Sequence, residues 1–472
     1  MESTTRRLPD HKTLPLKRHP ALCTLLSALL LAGCGERDEI GETGAGAGAD
    51  NNFSSITNTI ENSDTGTSAV ASCSIEDMRS WVYEGMLDYY LFYDQVDTNV
   101  QLDDYNSVES LITDLRVAPF DTFSHITDEQ SYTAQFEEGV TIGFGWVLTR
   151  DDNFDVFFKM IEPESPLANA NVQRGDHLVK INGVDAFDYI VAGTEASEAL
   201  FSFSEEPVSA DFTIRSVNGI TRTITVEKSE YPIQTVLDTQ VVQHLGADIG
   251  YLNYYQFLGS SSVELAQAFE ALDNADVSEL VLDLRYNLGG SVLVSSELGS
   301  YIAGNGKTDE PFAIYRPNDK YAEFATEFNF MDVANALSLN RVFVLQGSST
   351  CSASELIVNG LRPYMEVITI GGTSCGKPYA SIPNPYCGKV MNALQLEAVN
   401  AAGVGGYYSG IEADCVAEDD ISQTLGDTSE NLFSTALNYI AAGSCSGFLS
   451  NPAHPGAMPG LLNARSRGMS YF

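Results

Sequence analysis

The chain has 472 residues, 44% hydrophobic and 10% aromatic, enough to bury two or three cores of ordinary size. Its 25 Lys+Arg against 64 Asp+Glu leave a net charge of −39, which excludes nucleic acid as the main partner, because phosphate binding needs clustered cations. It also disfavours docking on anionic lipid through a basic patch, and the apolar content is too high for a disordered acidic chain, so a multidomain globular protein is expected.

Residues 1–33 run against the acidity, with Arg6, Arg7, Lys12, Lys17 and Arg18 ahead of the apolar run 21–32. That is the layout of a secretory signal peptide, and the run is short of the roughly 20 residues a membrane-spanning helix needs. Removing its five basic and two acidic side chains leaves 20 and 62, a charge of −42. Leu31-Ala32-Gly33-Cys34 resembles the lipobox of bacterial lipoproteins. The resemblance implies a diacylglyceryl anchor on Cys34, holding the protein at a membrane while its body stays in water. Gly35, where an Asp would favour the inner membrane, fits outer-membrane sorting. The expected address is the bacterial cell envelope, facing the periplasm; the alternative is a plain secretory signal with an incidental cysteine. Residues 34–72, rich in Gly, Ser, Thr, Asn and acids, read as a flexible tether.

The stretch 73–136 reads as a helical segment. Over 74–96, Ile75, Met78, Trp81, Val82, Met86, Tyr89 and Tyr90 share one broad helical face, with Ser74 and Asp77 at its start. A second helix is expected over 107–115. Residues 137–230 alternate apolar and polar side chains in short runs at 140–142, 156–160, 177–181, 212–215 and 223–226. The turns Asn182-Gly183 and Asn218-Gly219 separate some of them, as in a compact β-rich module. Over 231–445, strands at 249–257, 279–284, 341–345 and 367–370 alternate with helices at 262–272 and 352–361. That alternation predicts an α/β core with a mostly parallel sheet, whose ligands bind beyond the carboxyl ends of the strands. Residues 446–472, with three prolines and four glycines, read as a flexible tail.

Of the eight cysteines, Cys23 and Cys34 belong to the leader, leaving six for an oxidising compartment. Six cysteines allow 15 full pairings; nearness in sequence favours Cys375 with Cys387 and Cys415 with Cys445. No CxxC pair or HExxH helix occurs and the six His are scattered, so neither a metal site nor a cofactor is expected.

Residues able to do chemistry fall at the strand ends. Gly289-Gly290 follows the strand 279–284, and paired glycines at a strand-to-helix turn expose N–H groups to an anion, although alone they make only a tight turn. Ser352 opens the next helix; Ser352-x-x-Glu355 is also a capping box, the ordinary reading of that pattern. Lys377, beyond the following strand, returns to the same edge of the sheet. A lysine desolvated there loses its proton easily and can serve a serine as general base. His125, His177 and His244 lie in other segments, and no GxSxG elbow is present.

Two resemblances sharpen this. Ile142-Gly143-Phe144-Gly145, then Ser165-Pro166-Leu167-Ala168, then Arg174-Gly175-Asp176 and Ile181-Asn182-Gly183 resemble the blocks of a PDZ domain. That implies a groove whose glycine loop, Ile142 to Gly145, holds the carboxylate of an extended peptide. Ser352-Ala353-Ser354-Glu355, Gly376-Lys377, the segment from Asp283 to Gly290, and Asp121-Thr122-Phe123-Ser124 resemble the carboxyl-terminal processing, or tail-specific, serine proteases. This second resemblance implies Ser352 as nucleophile, Lys377 as base, the N–H groups of Gly290 and Ala353 as oxyanion hole, and Glu355 as support. It implies a lipid-anchored endopeptidase acting on exported proteins with exposed C-termini. The alternative is a peptide-binding scaffold that kept the fold without catalysis. Ser381 stands where many members carry Gln, Pro378 where they carry Gly, and Cys351 and Cys375 flank the pair.

Overall fold

The computed structural model describes residues 72–202 and 207–445; the leader, Cys34, the tether up to residue 71 and the tail 446–472 lie outside the described residues. The first helix, Ile75–Asp88, starts where the Ser74 hydroxyl accepts the Asp77 N–H at 3.2 Å. It ends well short of residue 96, because the Leu91 N–H donates to the Leu394 carbonyl and the chain docks on a strand instead of coiling on. Val108–Leu115 follows, capped by Ser107. Val82, Met86, Leu111 and Ile112 bury against Met391 and Leu394, nearly three hundred residues on, so the helical segment shares a core with late strands of the chain.

The β-rich stretch folds around a core of its own, formed by Phe144, Trp146, Phe158, Leu178 and Phe212. Its antiparallel strands include Trp146–Arg150, Val156–Ile161, His177–Ile181, Ser209–Arg215 and Thr221–Glu227, in that spatial order. Val156–Ile161 buries alternate side chains, as period-two patterning requires. At the hairpin after His177–Ile181, Asn182 and Gly183 take φ of 51° and 81°, the left-handed pair that a two-residue turn demands. Val140–Gly143 pairs with Ser229–Pro232 and closes the stretch where it leaves and rejoins the rest.

The core sheet has six strands. Val236–His244 runs antiparallel to Ala247–Tyr254; Glu279–Asp283, Arg341–Gln346, Glu366–Gly371 and Cys415–Val416 then follow in parallel. Helices Ser261–Asn274, Val292–Ala303 and Ala353–Leu361 cover one face through Leu265, Leu298 and Ile357. Asn431–Ala442 covers the other face, Leu432 and Phe433 packing on Val281 and Phe343. A further antiparallel sheet of Thr326–Asn329, Pro311–Pro317, Leu394–Val399 and Tyr379–Ser381 lies outside the βαβ pattern and was not anticipated. The carboxyl ends at Asp283, Gln346 and Gly371 share one edge, where the loops 284–291, 347–352 and 372–377 gather.

The disulfides are Cys73–Cys387, Cys351–Cys375 and Cys415–Cys445. The expected Cys375–Cys387 pair is thereby corrected. The helical segment packs on the late strands and brings Cys73 to Cys387, while the crossover Ala353–Leu361 returns Cys375 to Cys351. Among the described residues no helix is long and apolar enough to cross a membrane.

Candidate active site

Ser352 sits at the mouth of helix Ala353–Leu361 with φ 54° and ψ −113°, a conformation that a side-chain-bearing residue adopts only when its surroundings force it. Several contacts do so. The Cys351 N–H donates to the Asn287 carbonyl at 3.1 Å, and the Ser354 hydroxyl bonds the Asn287 carbonyl at 3.0 Å and its side-chain oxygen at 2.9 Å. The Thr350 hydroxyl donates to the Leu284 carbonyl at 2.8 Å. Ser352 is half-buried, whereas the residues on either side of it are buried.

The glycine turn presses on this serine. A Cβ on Gly289 would lie 2.8 Å from the Cys351 carbonyl oxygen and 2.9 Å from the Ser352 Cβ, and one on Gly290 would lie 2.1 Å from the Phe257 carbonyl oxygen. Only glycine fits at either position. The bridge to Phe257 uses the Gly289 carbonyl and the Ser291 N–H, so the N–H of Gly290 takes no part in it. The N–H of Ala353, in the first turn of its helix, has no carbonyl a turn earlier to bond.

Glu355 joins the serine to the lysine. Wholly buried, its carboxylate accepts the Ser352 N–H at 3.0 Å and the Lys377 N–H at 2.8 Å on one oxygen. On the other it accepts the Gly376 N–H at 2.8 Å and the Ser374 hydroxyl at 2.5 Å. The Ser352 and Lys377 nitrogens are therefore no farther apart than the sum of the first two distances. Burial pushes the Glu355 carboxyl up, against the pull of these donors.

Lys377 is 1% exposed. Burial brings its ammonium down to about 7, against Asp121 and Glu355, which favour the charged form. Its Nζ lies 5.5 Å from the centre of the Phe123 ring. Asp121 is itself buried and tied to the Tyr90 hydroxyl at 2.7 Å and to the N–H groups of Phe123 and Ser124 at 2.8 Å. His125 has Nδ1 2.7 Å from the Phe123 carbonyl oxygen. Burial, with a further push from the Lys377 charge, takes it down to about 3. Sequence reading set His125 aside as belonging to another segment; tertiary packing puts it within electrostatic reach of Lys377. Ser381 lies in Tyr379–Ser381, pairing with Leu394.

Ile142, Gly143, Phe144 and Gly145 line a cleft together with Tyr286 and Leu288, which lead into the glycine turn. The stretch carrying them meets the core through an ion cluster that sequence reading missed. Asp419 accepts from Arg174 at 2.6 Å and Arg285 at 3.1 Å, and lies 3.5 Å from Lys159. Arg285 also pairs with Asp283 and Glu430, and the Tyr286 hydroxyl donates to Asp419. Burial alone would raise the Asp419 carboxyl; Arg174, Arg285 and Lys159 outweigh it and hold it well below the usual range. The available signal was Arg285 at the end of an apolar strand, since a buried cation requires acids around it. Cys351, Glu355 and Cys375 bring potential metal ligands together, but the two sulfurs are bonded to each other.

A serine at a helix mouth against a glycine turn, and a lysine whose ammonium burial brings down to about 7, suit acyl transfer. Residues 248–415 match Peptidase family S41, and residues 77–125 match the Peptidase S41 N-terminal domain. A carboxyl-terminal-processing protease of Picosynechococcus is 24% identical over 241 residues, 51% of this chain and 55% of that protein. The carboxy-terminal processing protease CtpB of Bacillus subtilis is 23% identical over 263 residues, 54% of this chain and 51% of its own length. The chain thus spans about half the length of these curated relatives. A crystal structure described as an S41 protease from Bacteroides fragilis has a TM-score of 0.61 at 23% identity, covering 77% of this chain and 97% of that one, which supports the shared fold. Residues 77–125 and 248–415 thus carry the two S41 peptidase regions in chain order, on a fold shared with a solved S41 protease.

Proposed function

We propose that the chain is a serine endopeptidase in which Ser352 attacks the scissile carbonyl and Lys377 takes the serine proton and returns it to the leaving amine. The N–H groups of Gly290 and Ala353 stabilise the oxyanion, and water then releases the acyl-enzyme by the same route. Glu355 is a positioning residue. The observation that carries the reading is the shared carboxylate of Glu355, which holds the backbones of Ser352 and Lys377 together while burial brings the lysine to about 7. A scaffold without catalysis would gain nothing from a desolvated lysine, which costs stability.

The stretch 137–230 acts as a PDZ domain whose Ile142–Gly145 loop receives the free carboxylate of a substrate tail. Its cleft, which reaches Tyr286 and Leu288, supports this by leading from the loop toward the glycine turn. Substrates are exported proteins with exposed C-termini, met in the periplasm by an enzyme anchored through Cys34 to the outer membrane.

Ser352→Ala tests the reading. Wild type is expected to cleave an unstructured polypeptide and to be labelled at Ser352 by a fluorophosphonate, and the variant to lose about 10³-fold or more in turnover. Undiminished cleavage by Ser352→Ala would overturn it.

A further inference from the structure

Resting on the reading of Ser352 and Lys377 as a catalytic pair, we propose that the Cys351–Cys375 disulfide is a positioning device for that pair and makes hydrolysis conditional on its oxidised state. The bond joins the residue before Ser352 to the second residue before Lys377, with Cα atoms 5.1 Å apart. Each end is also fixed to the rest of the site. The Cys351 N–H reaches the Asn287 carbonyl at 3.1 Å, its own carbonyl accepts the Ser354 N–H at 3.0 Å, and that carbonyl lies against Gly289. The Cys375 N–H donates to the Thr350 carbonyl at 3.0 Å. One covalent link therefore ties the serine turn, the lysine loop and the glycine turn.

The other two disulfides do a different task. Cys73–Cys387 and Cys415–Cys445 tie down the first and last described turns of the chain, and neither links the serine turn to the lysine loop. At the site, Glu355 supplies only hydrogen bonds between the two loops. A serine held at φ 54° keeps that conformation while its neighbours over-determine it. Opening the disulfide removes the covalent share of that constraint, and small displacements of reacting groups lower rates steeply.

Cys375 is half-buried and Cys351 is 2% exposed, so a reductant meets Cys375 first. The thiolate of a dithiol attacks the Cys375 Sγ, the S–S bond breaks, and Cys351 leaves as a thiolate that takes a proton. The second thiol of the reductant then attacks the mixed disulfide and releases Cys375. Two electrons pass to the protein, and the reductant becomes a disulfide. In a cell that keeps cytosolic thiols reduced, the chain would stay inactive until exported.

The experiment uses the full oxidised chain with an unstructured peptide substrate. Relative to wild type, Cys351→Ala/Cys375→Ala is expected to lose about tenfold or more in kcat with KM within about twofold. Its acid limb is expected to move away from about 7. A purely structural bond would lower the melting temperature and leave kcat and the limb in place. Cys73→Ala/Cys387→Ala is expected to retain wild-type kcat. Should the first variant fail to fold, wild type is titrated with dithiothreitol, alkylated and mapped by mass spectrometry. Activity should fall with the fraction of Cys351 and Cys375 alkylated, and should return when unalkylated reduced protein is reoxidised. Full activity in either the double variant or the alkylated protein overturns the proposal. An oxidised wild type no faster than Ser352→Ala would overturn the catalytic reading and this proposal with it.

Discussion

Taking a lysine ammonium out of water disfavours its charge, and at Lys377 burial outweighs Asp121 and Glu355 to bring it down to about 7. With the neutral amine as the proposed base, kcat/KM should rise as pH rises through about 7 and then level off. A pH–rate profile without an acid limb near that value would contradict the assignment. Stability carries the same shift. Between about 7 and the ordinary lysine value near 10.4, the unfolded chain holds the proton more tightly than the folded one, so this group makes stability rise with pH across that window. Lys377→Met should therefore abolish hydrolysis and still stabilise the fold. The gain should be on the order of 5 kcal/mol below pH 7, shrinking toward pH 10. Urea melts at pH 6.5 and 9.5 measure it; equal gains at both would show that the effect is packing alone.

Helix Ala353–Leu361 shows what local pattern can and cannot reveal. Ser352-x-x-Glu355 reads as a capping box, and the Glu355 carboxylate does accept the Ser352 N–H. Its three other donors come from residues 374–377, beyond the next strand, where no i to i+3 rule can see them. Glu355→Ala would leave those donors buried without a partner, at a cost of about 3 kcal/mol, and should lower kcat by about a hundredfold with a smaller change in KM. Thermal melts and steady-state kinetics separate the two effects; an unaltered kcat would leave Glu355 a helix cap and nothing more. The first helix teaches the reverse lesson. Its apolar face continues past Asp88, but the Leu91 N–H has a strand carbonyl to reach, and tertiary docking overrides periodicity.

At the level of the whole molecule, the ion cluster around Asp419 joins the β-rich stretch to the loop that carries Gly289 and Gly290. Arg174 reaches Asp419, the Gln423 carbonyl and the Tyr286 hydroxyl. Met160 and Tyr286 add an apolar contact across the same joint. Removing one partner of a buried charge cluster is costly, so Arg174→Ala should destabilise by about 3 kcal/mol. It should also raise hydrogen exchange at 156–161 and 284–290 and lower kcat/KM. Exchange confined to 172–176 would mean that the joint does not couple the two parts.

The sequence alone carried the α/β class and the position of most strands, and it singled out Ser352, Lys377, Glu355, Gly290 and Ala353 as candidates, because period, turn chemistry and strand-end placement are local properties. It also carried the expectation of disulfides, with Cys415–Cys445 legible from nearness alone. Tertiary structure decided the rest. The helical start packs on strands nearly three hundred residues away, which is why Cys73 takes Cys387 and why Asp121, Phe123 and His125 lie near the lysine. Cys375 is left for Cys351, at the heart of the site. Contacts of that kind depend on which apolar faces meet in three dimensions, and spacing along a single chain does not encode that choice.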